Sequence, residues 1–160
     1  MVSSLNVSRP VLDLDARQGQ SRLVTLIAAT TLTQEAHDCK TILLDLAAGF
    51  TVTLPAALGT GAMYRFKIKT TVTGSMVIKV ANATDVFVGV ARANSDAALN
   101  PTNTWIAGAT DDTITMNGVA TGGVAGDLIK IEDVASGIFH VELSLNQSGT
   151  EATPFSATVS

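Results

Sequence analysis

Apolar and polar residues alternate with a period of two along most of this chain. The clearest run is 63–70. Tyr64, Phe66 and Ile68 fall on one side, Arg65, Lys67 and Lys69 on the other. Strict alternation of this kind predicts a strand with one buried and one wet face. Residues 40–46 repeat the pattern with Ile42, Leu44 and Leu46, and residues 50–54 with Phe50, Val52 and Leu54, before Pro55 stops the run. The link Ala47-Ala48-Gly49 predicts that these two strands form a β-hairpin. Near the end, Phe139, Val141, Leu143 and Leu145 oppose His140, Glu142 and Ser144. Shorter strands are expected at 22–30, 76–80, 85–90, 104–107, 113–116 and 126–132. Thr33 is an expected N-cap for one helical turn ahead of Asp38. Residues 91–103, with Asn94, Ser95, Asp96, Asn100 and Pro101, read as a loop. About ten short strands separated by turns predict a mainly β chain, a single antiparallel β-sandwich or jelly-roll-like domain. Its body is expected at 22–145, between an N-terminal arm (1–21) and a C-terminal tail (146–160). No internal repeat is visible.

Composition supports that reading. Among 160 residues there are 21 Thr and 16 Val, both β-branched, but only 4 Glu and 5 Lys. Such a chain is a poor helical bundle or coiled coil. It is too apolar, at 46%, and too sparsely charged, at 15%, for a disordered protein. No apolar run approaches the ~18 residues a membrane helix needs. The first residues lack a basic segment followed by an apolar one, so folding in the cytoplasm is expected. Cys39 is the only cysteine, so no internal disulfide can form. Charge is divided: residues 46–84 hold Arg65, Lys67, Lys69 and Lys79 and no acid, whereas 85–160 is strongly acidic. A divided charge steers a protein toward a charged surface or a copy of itself.

Catalytic chemistry finds little to use. There is no G-x-S-x-G elbow for a serine nucleophile. His140 is in phase with Glu142 and Ser144 on the solvent-facing side, and His37-Asp38-Cys39 lacks a second ligand pair for zinc. Asp111-Asp112 and Glu132-Asp133 are acidic pairs in expected turns, without the spacing of a calcium loop. Gly122–Gly126 lacks the lysine of a phosphate-binding loop. Tyr64 and Phe66 face away from the basic side chains beside them, which removes a stacking platform for single-stranded nucleic acid. The expectation is a non-enzymatic binding or structural module with no cofactor, no metal, no nucleic acid and no membrane partner.

The segment Lys40-Thr-Ile-Leu-Leu-Asp-Leu-Ala-Ala-Gly-Phe-Thr-Val-Thr-Leu-Pro55 resembles one found in small virion proteins of tailed bacteriophages. Similar too are Gly61-Ala-Met-Tyr-Arg-Phe-Lys-Ile68, Asp127-Leu-Ile-Lys-Ile-Glu-Asp133, Gly137-Ile-Phe-His-Val141 and Gly149-Thr-Glu-Ala-Thr-Pro-Phe-Ser156. The resemblance, over about residues 30–156, is to head decoration, or cement, proteins. It implies a homotrimer on the capsid exterior, with the major capsid protein as partner and shell stabilisation as function. In that setting Val2, Leu5, Val7, Pro10, Val11, Leu12 and Leu14 are the expected capsid-binding arm, adding strand to a sheet edge. Arg65, Lys67 and Lys69 are the expected charged contact face. The alternative is a fibre or tail receptor-binding module, in which Trp105 is the expected ligand contact.

Overall fold

The computed structural model describes residues 22–96, 99 and 101–159; the arm residues named above lie outside them. The described chain is mainly β. In order it forms β1 (Leu23–Leu26), β2 (Thr30–Thr31), α1 (Gln34–His37), β3 (Lys40–Leu44), β4 (Thr51–Thr53), β5 (Met63–Ile68) and β6 (Met76–Lys79). Then follow β7 (Val86–Ser95), β8 (Thr102–Ile106), β9 (Thr113–Met116), β10 (Leu128–Ala135), β11 (Ile138–Gln147) and β12 (Phe155–Ser156). Two sheets form: a seven-stranded one, ordered β1-β3-β5-β10-β11-β7-β8, and a five-stranded one, ordered β12-β9-β6-β4-β2.

The chain alternates between them. Strands β1, β3 and β5 lie side by side and parallel in the larger sheet, and β2, β4 and β6 do the same in the smaller. Each β-turn-β unit is therefore one coil of a flattened wrap, with Leu23 beside Thr41 and Thr41 beside Arg65. The expected hairpin at 40–54 is absent. β3 and β4 belong to opposite sheets, and the expected mainly β sandwich is built of two mixed sheets rather than mostly antiparallel ones. The reason is a steric contact between successive coils. Gly49 has φ 75°, and a Cβ on it would lie 2.1 Å from the Ser75 carbonyl oxygen, so the turn is a tight corner against the next coil. Leu46 consequently lies past the end of β3, at the surface.

After β6 most new pairings are antiparallel, but β7 lies parallel to β11 over its whole length. β10 and β11 form a hairpin inserted between β5 and β7. The loop expected at 91–103 is shorter than anticipated, because β7 continues through Ser95. Its inward residues there are Ala91 and Ala93, small side chains that weaken the sequence signal but fit beneath Leu143 and Leu145 on β11. The C-terminal tail is not a free tail. β11 runs to Gln147, β12 pairs with β9, and Phe155 is buried.

The inward faces interleave. One row across the large sheet reads Val24, Ile42, Phe66, Ile129, Leu143, Ala91, Trp105. The facing row in the small sheet reads Val52, Ile78, Ile114, Phe155. Phe87 and Phe139 meet at 6.3 Å between ring centroids, tilted by 57°. Burying each such aromatic stabilises the fold by about 1.5–3 kcal/mol. Gly89 sits opposite Val141 at φ 149°, where a Cβ would lie 2.0 Å from the Val141 carbonyl oxygen, so only glycine fits.

Candidate functional site

The outward face of the seven-stranded sheet gathers the exposed charge. Alternation decides this: with Tyr64, Phe66 and Ile68 inward, Arg65 and Lys67 must point out. Register then fixes their neighbours. The row through Arg65 reads Leu23, Thr41, Arg65, Lys130, Glu142, Val90, Ile106. The row through Lys67 reads Thr25, Leu43, Lys67, Leu128, Ser144, Arg92, Thr104. A third row holds Met63, Glu132, His140 and Val88.

Arg65 and Lys130 are directly opposed, an arrangement of like charges that costs stability. Lys130 leans to Glu142, with Nζ 3.6 Å from Oε2, and both side chains are about half exposed. Such a pair contributes ~0.2–1 kcal/mol. Among the described residues Arg65 and Lys67 make no ion pair. Lys69 is different. Its Nζ lies 2.6 Å from Asp45 Oδ2, and Thr70 Oγ1 donates to Asp45 Oδ1 at 2.6 Å. Lys69, then Thr70, hold the Asp45 carboxyl below its ordinary range. Of the three expected contact residues, two are available cations and the third is tied at the end of the sheet.

Two shallow depressions share Met63 and Arg65. One, about 240 Å³, also touches Lys130, Glu132, His140 and Glu142; the other, about 270 Å³, is bordered by Arg22, Lys40 and Thr41. Both are smaller and more open than the ~300–1,000 Å³ clefts that enclose small ligands. The face is broad and shallow. Arg22 and Lys40 border the depression at its edge, and Lys130 extends the basic patch beyond the residues the sequence singled out. Lys130 was legible there, out of phase with Ile129 and Ile131. The neighbours of Arg65 on other strands were not.

The other chemistry-bearing residues have structural employment. Thr33 caps α1, its Oγ1 accepting from Ala36 N at 3.3 Å, and its own N–H donates to His37 Nδ1 at 3.1 Å. The Cys39 thiol is pushed up, first by its hydrogen bond with Asp38, then by burial and the Asp38 charge, so it is a poor nucleophile. Among the described residues no cluster of three or more His, Cys, Asp or Glu could hold a metal. The buried acids staple loops instead. Asp133 accepts from Leu58 N, Gly59 N and Thr60 N at 3.2, 2.7 and 2.9 Å, and from Thr60 Oγ1 at 2.7 Å. Asp127 accepts from Gly123 N, Val124 N and Asn146 N, and Asp112 from Thr158 N and Val159 N. Their lone pairs are filled by main-chain N–H groups. The signal for Asp133 was its phase with Ile129 and Ile131 on the inward side of β10.

Trp105 faces inward at the edge of the large sheet. It packs against the core, and Nε1 donates to Gln147 Oε1 at 3.2 Å. Its ring does not stand out from the surface as a stacking platform. No helix among the described residues is long and apolar enough to cross a membrane. No family model matches the chain, and neither does any curated protein or solved structure.

Proposed function

We propose that this chain is a structural virion protein that binds the outside of a tailed-phage capsid as a trimer and cements the shell. The observation that carries the reading is the broad outward face of the large sheet, where Arg65 and Lys67 stand exposed beside Lys130. It joins the resemblance of residues 30–156 to head decoration proteins. A cement must resist load while presenting a broad, fixed surface. The stapled loops and the two-sheet core supply stiffness, and the cations supply attraction to an acidic shell. Each contact is weak in salt, since exposed charges are screened over ~8 Å at physiological ionic strength. A trimer that engages several capsid subunits at once gains affinity through effective concentration. The N-terminal arm, Val2 to Leu14, is the second attachment in this reading, adding strand to a capsid edge.

The test is copy number in purified virions, measured against the major capsid protein. Hundreds of copies in a fixed ratio to the capsid subunit are expected. A handful of copies moves the protein to a fibre or tail, and absence from the virion discards the reading. Next, Arg65→Glu with Lys67→Glu should weaken capsid binding and flatten its salt dependence. Deleting residues 2–14 should abolish binding while the body still folds. Full binding by the truncated chain refutes the arm.

A further inference from the structure

Strand β8 ends the seven-stranded sheet, and its hydrogen-bond phase is fixed by two bonds. Ala107 N donates to Gly89 O at 3.1 Å, and Ser95 N donates to Pro101 O at 3.0 Å. Trp105 is paired with Ala91 and Asn103 with Ala93. Bonded and non-bonded pairs alternate in an antiparallel ladder. The main-chain groups of Asn103 and Trp105 therefore serve β7, and those of Thr102, Thr104 and Ile106 point off the sheet. Among the described residues no strand pairs with them.

Natural edge strands are usually blunted by brevity, lysine, proline or a bulge. The edges β2 and β12 are two residues long. β8 is the longest edge, five residues of Thr-Asn-Thr-Trp-Ile, with no charge and no proline inside it. The surface beside its Ile106 end is apolar, while Thr104 and Thr102 lie opposite Arg92 and Asn94. Ile106 is 76% exposed and lies opposite Val90, with Val88 50% exposed in the next row. On the inner side Trp105 is only partly covered, because the sheet stops there.

We propose that β8 is a self-pairing edge: a second copy of this chain adds its own β8 antiparallel across a two-fold axis, joining two seven-stranded sheets. A two-fold contact sets one surface against itself. A strand carrying lysine or glutamate repels its own copy, whereas β8 carries neither. Centred on Thr104, the pairing sets Thr104 against its equivalent and Ile106 against Thr102 of the second copy. It closes about six main-chain hydrogen bonds, two for each bonded pair. The Ile106 side chain then lies between Val90 and a threonine methyl, and the incoming strand covers Trp105. The pairing goes beyond the capsid reading and does not depend on it; on a shell of trimers it adds a two-fold link between neighbours.

The test uses the full chain in solution, by sedimentation and by the emission of Trp105, the only tryptophan. Self-association should rise with concentration and shift the emission to the blue. Thr104→Glu places a carboxylate opposite Arg92 of its own sheet, which tolerates it, but opposite its equivalent across the axis. It should weaken self-association by about tenfold or more with the unfolding midpoint of the monomer unchanged. Thr104→Pro deletes an outward N–H that β7 does not use, and should do the same. Thr104→Cys, in a Cys39→Ser background, should cross-link on oxidation, because bonded partners sit about 5.5 Å apart between Cα atoms, within disulfide reach. A trimer that persists in Thr104→Glu without cross-linking through Thr104→Cys overturns the pairing and leaves the trimeric reading intact. A dimer lost in Thr104→Glu supports the pairing and counts against a trimer. A wild-type chain that stays monomeric at every concentration overturns it.

Discussion

Replacing Asp133 measures how much one carboxylate contributes to closing the loop between β4 and β5. Oδ2 accepts from Leu58 N, Thr60 N and Thr60 Oγ1, and Oδ1 accepts from Gly59 N at 2.7 Å. Hydrogen bonds to a charged acceptor contribute about 1.5–3 kcal/mol each when removed singly, and they do not sum. Asp133→Ala strands all four donors, but the loop lies at the surface and water reaches some of them. A loss of about 3 kcal/mol is the expected outcome, equivalent to two well-made bonds of this class. For a chain of this size, with a urea slope of about 2 kcal/mol/M, the midpoint should fall by about 1.5 M. Asp133→Asn is more specific. Its carbonyl can replace Oδ2, leaving the amide NH2 facing the Gly59 N–H, so the cost should be nearer 1–2 kcal/mol. Acid distinguishes the two residues. Burial pushes the Asp133 carboxyl up, but the bonds from Thr60, Gly59 and Leu58 outweigh it and hold the group below its ordinary range. Its folded pKa is thus below its unfolded one. The stabilisation is fully present above the unfolded value, about 3.9, and is lost as pH falls through the folded value. The gap between wild type and Asp133→Asn should therefore close in acid. Equal urea midpoints for wild type and Asp133→Ala at neutral pH refute the staple.

Gly89→Ala should destabilise by about 2–4 kcal/mol, since the new methyl meets the Val141 carbonyl and φ is unsuited to alanine; calorimetry should show a lower melting temperature. Tyr64, the only tyrosine, is pushed up to about 12 by burial first and then by the charges of Asp38 and Asp133. Its raised value means that stability falls as pH climbs past the ordinary tyrosine range, about 10, so phenolate absorbance should appear near pH 12 or together with unfolding. Cys39, exposed but with its thiol pushed up, should react slowly with a disulfide reagent at neutral pH and accelerate above pH 9. Lys69→Ala should cost no more than about 1 kcal/mol, because its ion pair with Asp45 is exposed.

Period-two alternation made β5 legible to the side chain. Tyr64 and Phe66 are buried and Arg65 and Lys67 exposed, as their spacing required. The same rule misled at 40–54, where two good strands in succession look alike whether they pair or part. Alternation fixes the face a residue occupies and is silent about which strand lies alongside. That is decided by contacts distant in sequence, such as Gly49 against Ser75. The patch on the large sheet was half visible for the same reason. Arg65 and Lys67 share one strand, whereas Lys130, Glu142 and Val90 reach them through pairings that nothing local encodes. β7 was underestimated because Ala91 and Ala93 carry little hydrophobic signal, yet they suit the space that Leu143 and Leu145 leave. The acidic pairs read as turn residues; the phase of Asp133 with Ile129 and Ile131 marks it as inward, but the N–H groups it collects come from a loop more than seventy residues away, which no local pattern encodes.

The hairpin of β10 and β11 lies in the middle of the large sheet although it is made near the end of the chain. During synthesis the first coils can stack as they emerge, but β5 and β7 then wait with bare inner edges. They are joined only when residues up to 147 have left the ribosome. The hairpin acts as a keystone, so a ribosome that stops before residue 128 releases two half-sheets with exposed edges rather than a shorter working protein. Such fragments are prone to aggregate. The same order sets the pace: the closing contacts are distant in sequence, which places folding in the slow range of small β proteins, milliseconds to seconds.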